Sequence, residues 1–256
     1  MILVTDYWEP TVLRSGIGRL LEELSWVGKS IRDYRDGGSG YENVLVAEVL
    51  LALDFLPRTR FLGGVIRAAT GADEARSLVD AEIEQAELLV LPPELQLAPN
   101  AKERRDQLII QPDGQIRSPS TSVLIEAKRI RGGGFQPEQL AREYVALMRD
   151  SAGKTPLLLL LLPAAPPVLV KGHGRMPVAN AVDAHLASVL RRADIQGPSY
   201  DELIGGLADV VAWVTWSQLA QVVAAQAAAF ASGDPSVDGS VHRLSALVQE
   251  SISRHS

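Results

Sequence analysis

The chain has 256 residues, 46% hydrophobic and 22% charged, with a formal net charge of −6 and no cysteine. That balance suits one elaborated soluble domain, or a core with a small appendage, and the missing thiols exclude a disulfide framework, a thiolate zinc site and a cysteine nucleophile. The negative average field repels polyanions, so a nucleic-acid partner needs a local basic surface or a second, basic subunit; DNA and a partner protein subunit or a homodimer are the expected partners.

The first residues, MILVTDYWEP, carry acids and a proline where a signal peptide needs a basic region and an apolar run, so a cytoplasmic protein is expected. Residues 12–27 space their apolar positions three and four apart, which predicts a short amphipathic helix and assigns 1–40 to an N-terminal helical cap. From Tyr41, YENVLVAEVLLALDFLP is apolar around most of a helix and stops at Pro57, as a helix buried on several sides would. It carries two glutamates, Glu42 and Glu48. Residues 72–88 predict a further helix with acids in its first turn.

Strand patterns follow at 94–97, 106–110 and 122–130, read as a three-stranded meander with a Pro-, Gly- and Ser-rich loop over 111–121. A glycine triplet, Gly132 to Gly134, leads into a helix from about Pro137. PLLLLLLP, 156–163, is a continuous apolar run far shorter than the roughly 20 residues that span a bilayer, so it predicts a strand covered on both faces and no membrane partner. The remainder predicts a Pro/Gly loop to about 177, a helix at 178–192, a strand at 210–216, and helices at 217–231 and 240–254. The organisation is therefore a core at 41–170 and a mainly helical C-terminal extension at 171–256 packed on it.

Chemistry concentrates in the meander. Alternation along a strand puts Glu126 and Lys128 on one face and Ala127 on the other. An aspartate sharing a divalent ion with Glu126 must lie nearly opposite it on the adjoining strand. A loop centred on position 116 sets Asp106 there. Asp113 then falls in Pro-Asp-Gly, which suits a turn for its own reasons, although Pro-Asp also matches the familiar written form of a metal motif.

With helix, three strands, helix and strand in order, RRDQLII around Asp106 and IEAK around Glu126 and Lys128, residues 41–163 resemble the PD-(D/E)XK nuclease superfamily. The resemblance implies a restriction-endonuclease-like α/β fold, with a mixed central sheet flanked by helices, and a metal-dependent DNA nuclease. It implies Mg²⁺ or Mn²⁺ held by Asp106, Glu126 and the carbonyl of Ala127, with Glu42 on the first core helix, or Glu48 second, adding a carboxylate. It gives Lys128 the attacking water or the developing phosphorane charge, and Gln139 the positioning of water or phosphate. The structural alternative is a cross-strand salt bridge at a sheet end; the alternative function is a non-catalytic nucleic-acid-binding or scaffolding subunit.

The basic clusters Lys102, Arg104, Arg105 and Lys128, Arg129, Arg131 flank the motif and suit either phosphate contact or solvated strand ends. Tyr144, five residues after Gln139, is predicted to face away from it. Trp213 and Trp216 read as packing residues, His173 as a solvated loop histidine, and the four histidines show no metal-ligand spacing.

Overall fold

The computed structural model describes residues 40–97, 108–151, 153–193 and 197–256. The helix expected at 12–27 and Asp106 lie outside the described residues. The chain enters through α1 (Gly40–Phe55), whose Leu45, Val46, Val49, Leu50 and Leu53 are all within 2% of complete burial. Its all-round apolar sequence is explained by its position: it packs on the sheet and on the C-terminal helix. Glu42 lies in its first turn, where the helix dipole favours a carboxylate.

Helices α2 (Leu62–Ala68) and α3 (Asp73–Ala81) follow, then strands β1 (Glu87–Val90), β2 (Leu95–Leu97), β3 (Leu108–Ile110), β4 (Gly114–Arg117) and β5 (Thr121–Ala127). Next come α4 (Gln139–Asp150), β6 (Thr155–Leu162), β7 (Val168–Val170), β8 (Gly174–Met176), α5 (Val178–Arg192) and α6 (Tyr200–Val210). The chain closes with β9 (Val211–Thr215), α7 (Trp216–Ala228) and α8 (Pro235–His255). The central sheet has the order β1-β4-β5-β6-β9; β1, β4 and β5 are antiparallel neighbours, whereas β5, β6 and β9 are parallel. The fold is α/β with a mixed sheet. Among the described residues no helix is long and apolar enough to cross a membrane.

Alternation along the buried strands divides the core into two layers. Val123, Ile125 and Ala127, with Leu157, Leu159 and Leu161 of β6, face the layer of α1, α2, α3, α7 and α8. Leu124, Leu158, Leu160 and Leu162 face α4, α5 and α6. Because β6 is covered on both sides, its run of six leucines needs no polar alternation. The C-terminal third is more than an added helical layer, since β9 completes the sheet and α7 and α8 share one hydrophobic cluster with α1.

The expected meander is corrected. β3 pairs with β2, matching Leu95 to Ile110 and Leu97 to Leu108, and this small hairpin packs in the α4 layer apart from the central sheet. The neighbour of β5 is β4, a segment whose composition suggested loop. The turn is Ser118-Pro119-Ser120, and tertiary contacts hold it. Glu82 accepts from the Ser118 and Ser120 hydroxyls and from the Ser120 amide (3.0 Å), while Lys154 Nζ donates to the Ser118 carbonyl (2.6 Å).

Gly114 is an extended strand residue. A Cβ there would lie 2.9 Å from Leu50 Cδ1 and 3.2 Å from Ile125 Cδ1, so the glycine serves close packing of β4 on α1. Gly114→Ala is expected to cost about 1–3 kcal/mol through overpacking, seen as a lower urea midpoint. An unchanged midpoint would contradict the close approach.

Other boundaries moved for local reasons. The helix expected to run to 88 ends at Ala81, and ELLV becomes β1. The loop after β6 contains the β7–β8 hairpin. Helix α6 is opened by a capping box in which the Ser199 hydroxyl accepts from Glu202 N and the Glu202 carboxylate accepts from Ser199 N. The helix expected at 178–192 is α5 with those bounds.

Candidate metal centre

The site forms where β4 stops and β5 continues. Asp113, immediately before β4, donates its amide to the Ile125 carbonyl (3.0 Å), which sets it opposite Glu126. Its Oδ2 accepts the Ala127 amide at 2.7 Å, a hydrogen bond that takes the place of the next rung of the ladder. The pairing that put Asp106 opposite Glu126 does not form, and Asp113 holds that position. The glycine that suggested a turn is the first residue of the strand.

Glu126 and Lys128 project into the α4 layer, as alternation requires. Lys128 extends the parallel ladder by donating its amide to the Leu161 carbonyl (2.8 Å). Its Nζ donates to Glu126 Oε1 (2.5 Å), the Ala127 carbonyl (2.8 Å) and Glu42 Oε1 (2.9 Å). The other Glu42 oxygen accepts the Arg129 amide at 2.9 Å, tying the start of α1 to the end of β5. From the opposite layer, Trp216 donates its indole N–H to the Lys128 carbonyl at 2.8 Å, a packing role that also fixes the strand end.

Glu42, Asp113 and Glu126 offer oxygens that all lie within 4.8 Å of one another. Asp113, Glu126 and Lys128 are 7%, 3% and 5% exposed, so this is a buried charge cluster and not an ion pair at an exposed sheet end. The Gln139 side-chain amide donates to Glu126 Oε1 from the first turn of α4. Four of the expected side chains, Glu42, Glu126, Lys128 and Gln139, are therefore assembled with the Ala127 carbonyl. Glu48 is not among them: it pairs with Arg254 on α8 at 3.5 Å. Tyr144 faces away, its hydroxyl donating to the Leu203 carbonyl at 2.7 Å.

Two participants stand outside the expected site: Asp113, which was only the second choice of aspartate, and Glu143, which sequence reasoning did not name. Asp113 was explained as a turn residue. Glu143, one helical turn after Gln139, is 3% exposed and in hydrogen-bond contact with Glu126. Its spacing of four from Gln139 is the signal that could have found it.

Burial, then the charge on Glu126, pushes the Asp113 carboxyl well above its ordinary range, and the same two causes raise Glu143. Glu126 is also raised by burial, partly offset by the Lys128 ammonium. Burial alone would lower Lys128, but Glu126, Glu42 and Asp113 outweigh it and hold the ammonium above the usual lysine range. The cluster thus has more carboxyl groups than cationic partners.

That excess fits a divalent cation. Three carboxylates and a peptide carbonyl are the hard oxygen donors that Mg²⁺ and Mn²⁺ prefer, and among the described residues the cluster includes no sulfur or imidazole ligand. Beside the cluster opens a cavity of about 490 Å³, bordered by Glu42, Lys128, Gln139 and Glu143 and by the basic side chains of Arg129, Arg142 and Lys171. Comparison of the chain with protein-family models, with curated proteins and with solved structures gave no match.

Proposed function

We propose that the chain is a metal-dependent nuclease that hydrolyses DNA phosphodiester bonds, with Asp113 in the aspartate role first given to Asp106. One observation carries the reading: Glu42, Asp113, Glu126 and Lys128, drawn from α1, the start of β4 and the end of β5, converge beside one cavity. A scaffold that only retained such a fold would have its acids dispersed or replaced by apolar packing. Keeping several carboxyls and one lysine nearly buried opposes folding unless the cluster has a task. The order of α1, three antiparallel strands, α4 and a strand parallel to β5 adds support, as it is the frame the PD-(D/E)XK resemblance implies.

In this reading Glu42, Asp113, Glu126 and the Ala127 carbonyl hold Mg²⁺ or Mn²⁺. The bound ion supplies Lewis acidity and a water that ionises near neutral pH. Gln139 fixes the Glu126 rotamer through its amide. Lys128, anchored on the same carboxylates, orients the attacking water or meets charge growing on the phosphorane oxygens. Arg129, Arg142 and Lys171 give the rim positive charge for the flanking phosphates. Restriction, repair and defence against foreign DNA are the settings the resemblance implies.

The test is cleavage of single- and double-stranded DNA, and of RNA as a control, by the purified chain in Mg²⁺, Mn²⁺ or EDTA. Cleavage of DNA that requires the metal, and that falls by about a hundredfold or more in Glu126→Gln, is expected. Equal cleavage in EDTA, or none of any DNA in either metal, would overturn the reading.

A further inference from the structure

We propose that the substrate is DNA in single-stranded form, drawn into the cavity as one flexible strand, and that Ile109 on the β2–β3 hairpin selects it by packing on the face of an unstacked base. The proposal rests on the reading above that the cluster cleaves DNA, and it names the form of DNA that reaches the cluster. Depth is the first ground. Glu42 and Lys128 border the cavity of about 490 Å³, while Asp113 and Glu126 are only 7% and 3% exposed. Such a volume suits one small ligand. Duplex DNA is a stiff rod whose major groove alone is about 12 Å wide, so a phosphate fixed in it stays at the rim. A phosphate of a flexible strand can enter with its own nucleotide.

The second ground is the cavity wall. The β2–β3 hairpin is held by Leu97, Leu108 and Ile110, buried in the α4 layer, and alternation then turns Ile109 outward. Ile109 is 43% exposed, and of the large apolar side chains left exposed among the described residues it is the one that borders this cavity. In a duplex the base faces are covered by stacking and only the edges are offered in the grooves. A branched apolar side chain therefore meets a base face only where the nucleotide is unstacked.

The third ground is the placing of charge. Arg142 on α4 and Lys171 after β7 border the same cavity, and no acceptor among the described residues meets the buried Arg142 Nε. Set there, the two cations suit phosphates on either side of the one at the cluster. Contacts to the backbone and to a base face carry no letter of the sequence, so the preference is for strandedness and not for a particular base. A paired nucleotide must first leave its stack and its partner, a cost that a single strand does not meet.

The experiment measures cleavage kinetics of the full chain in Mn²⁺ on one DNA sequence presented as a single strand, as a perfect duplex and as a duplex with a central unpaired tract. Wild type, Ile109→Ser and Ile109→Phe are compared. Wild type is expected to cut the single strand and the unpaired tract at least about tenfold faster than the duplex. Ile109→Ser should raise KM for the single strand by about tenfold with kcat kept, since it removes a contact made equally in the ground and transition states. Ile109→Phe, which keeps an apolar surface for the base, should hold KM at the wild-type value or below it. Metal-dependent cleavage of the perfect duplex at the rate of the single strand overturns this proposal and leaves the nuclease reading standing. An unchanged KM in Ile109→Ser overturns the role of Ile109. No cleavage of any of the three substrates overturns the nuclease reading and this proposal with it. The wild-type comparison decides the strand preference even if a variant fails to fold.

Discussion

Replacing Lys128 by Met is expected to remove cleavage and, at the same time, to tighten Mn²⁺ binding. The two effects have one origin. Lys128 Nζ holds Glu126 Oε1, Glu42 Oε1 and the Ala127 carbonyl, which are oxygens the cation itself would use. An ammonium a few ångströms from a divalent ion both repels it and competes for its ligands. Without it, Mn²⁺ affinity should rise by about tenfold or more, equivalent to about 1.4 kcal/mol. Cleavage should fall by roughly 10²–10⁴, the range lost with a group that handles protons or developing charge in the transition state. Melts add a third signature. The metal-free variant retains Asp113, Glu126 and Glu143 in a buried cluster with no lysine among them, and removing one partner of a buried pair costs about 3–5 kcal/mol. The loss should be recovered on adding Mn²⁺. Wild-type cleavage by the variant would refute the role of Lys128, and weaker Mn²⁺ binding would refute the competition.

Asp113→Asn should separate stability from function in the opposite sense. The Asp113 carboxyl is raised by burial first and by Glu126 second. A carboxyl raised on folding contributes stability fully below its unfolded value, about pH 4, and loses that contribution as pH rises through its folded value. At neutral pH its charge opposes folding of the metal-free protein. Asparagine keeps an oxygen for the Ala127 amide and discards the charge. In EDTA at pH 8 the variant should therefore melt above wild type, and its stability should vary less between pH 4 and pH 8. With metal the order reverses: Mn²⁺ affinity should fall by about a hundredfold and cleavage with it. Asp106→Asn is the contrast, expected to bind Mn²⁺ as wild type does. Loss of binding in Asp106→Asn but not in Asp113→Asn would return the aspartate role to Asp106.

Strand alternation alone placed Glu126 and Lys128 on one face, and the structure has them there, 2.5 Å apart at their polar ends. Glu42 and Gln139 came from what the PD-(D/E)XK resemblance implies, and they could be placed because the helices that carry them are legible in the sequence. The aspartate was missed because composition reports the presence of a turn better than its position. Pro112-Asp113-Gly114 and Ser118-Pro119-Ser120 both suit turns, and the choice between them is made by Glu82 and Lys154, distant in sequence and invisible to local propensity. Gly114 looked like a turn residue although its reason is the side chain of Leu50. The short strands β1 and β4 have four residues each, too few for a period to declare itself. Glu143 lies on a buried helix face where a sequence reading expects apolar residues, and nothing in the helical pattern singles it out.

The Glu82 latch on the Ser118–Ser120 turn has a consequence at the far end of the hairpin. Asp113 precedes that turn by five positions of extended chain, about 17 Å. Yet the turn sets the register, and a slip of one residue would send the Asp113 carboxylate to the opposite face of the sheet and bring Gly114 opposite Glu126. The cluster therefore has a remote address. A residue inserted at the turn, or loss of Glu82, can erase the metal-binding geometry without altering any atom that would touch the metal. Damage of that kind would look like a catalytic lesion in an activity assay and like a folding lesion in a melt, although its origin is an error of alignment between two strands.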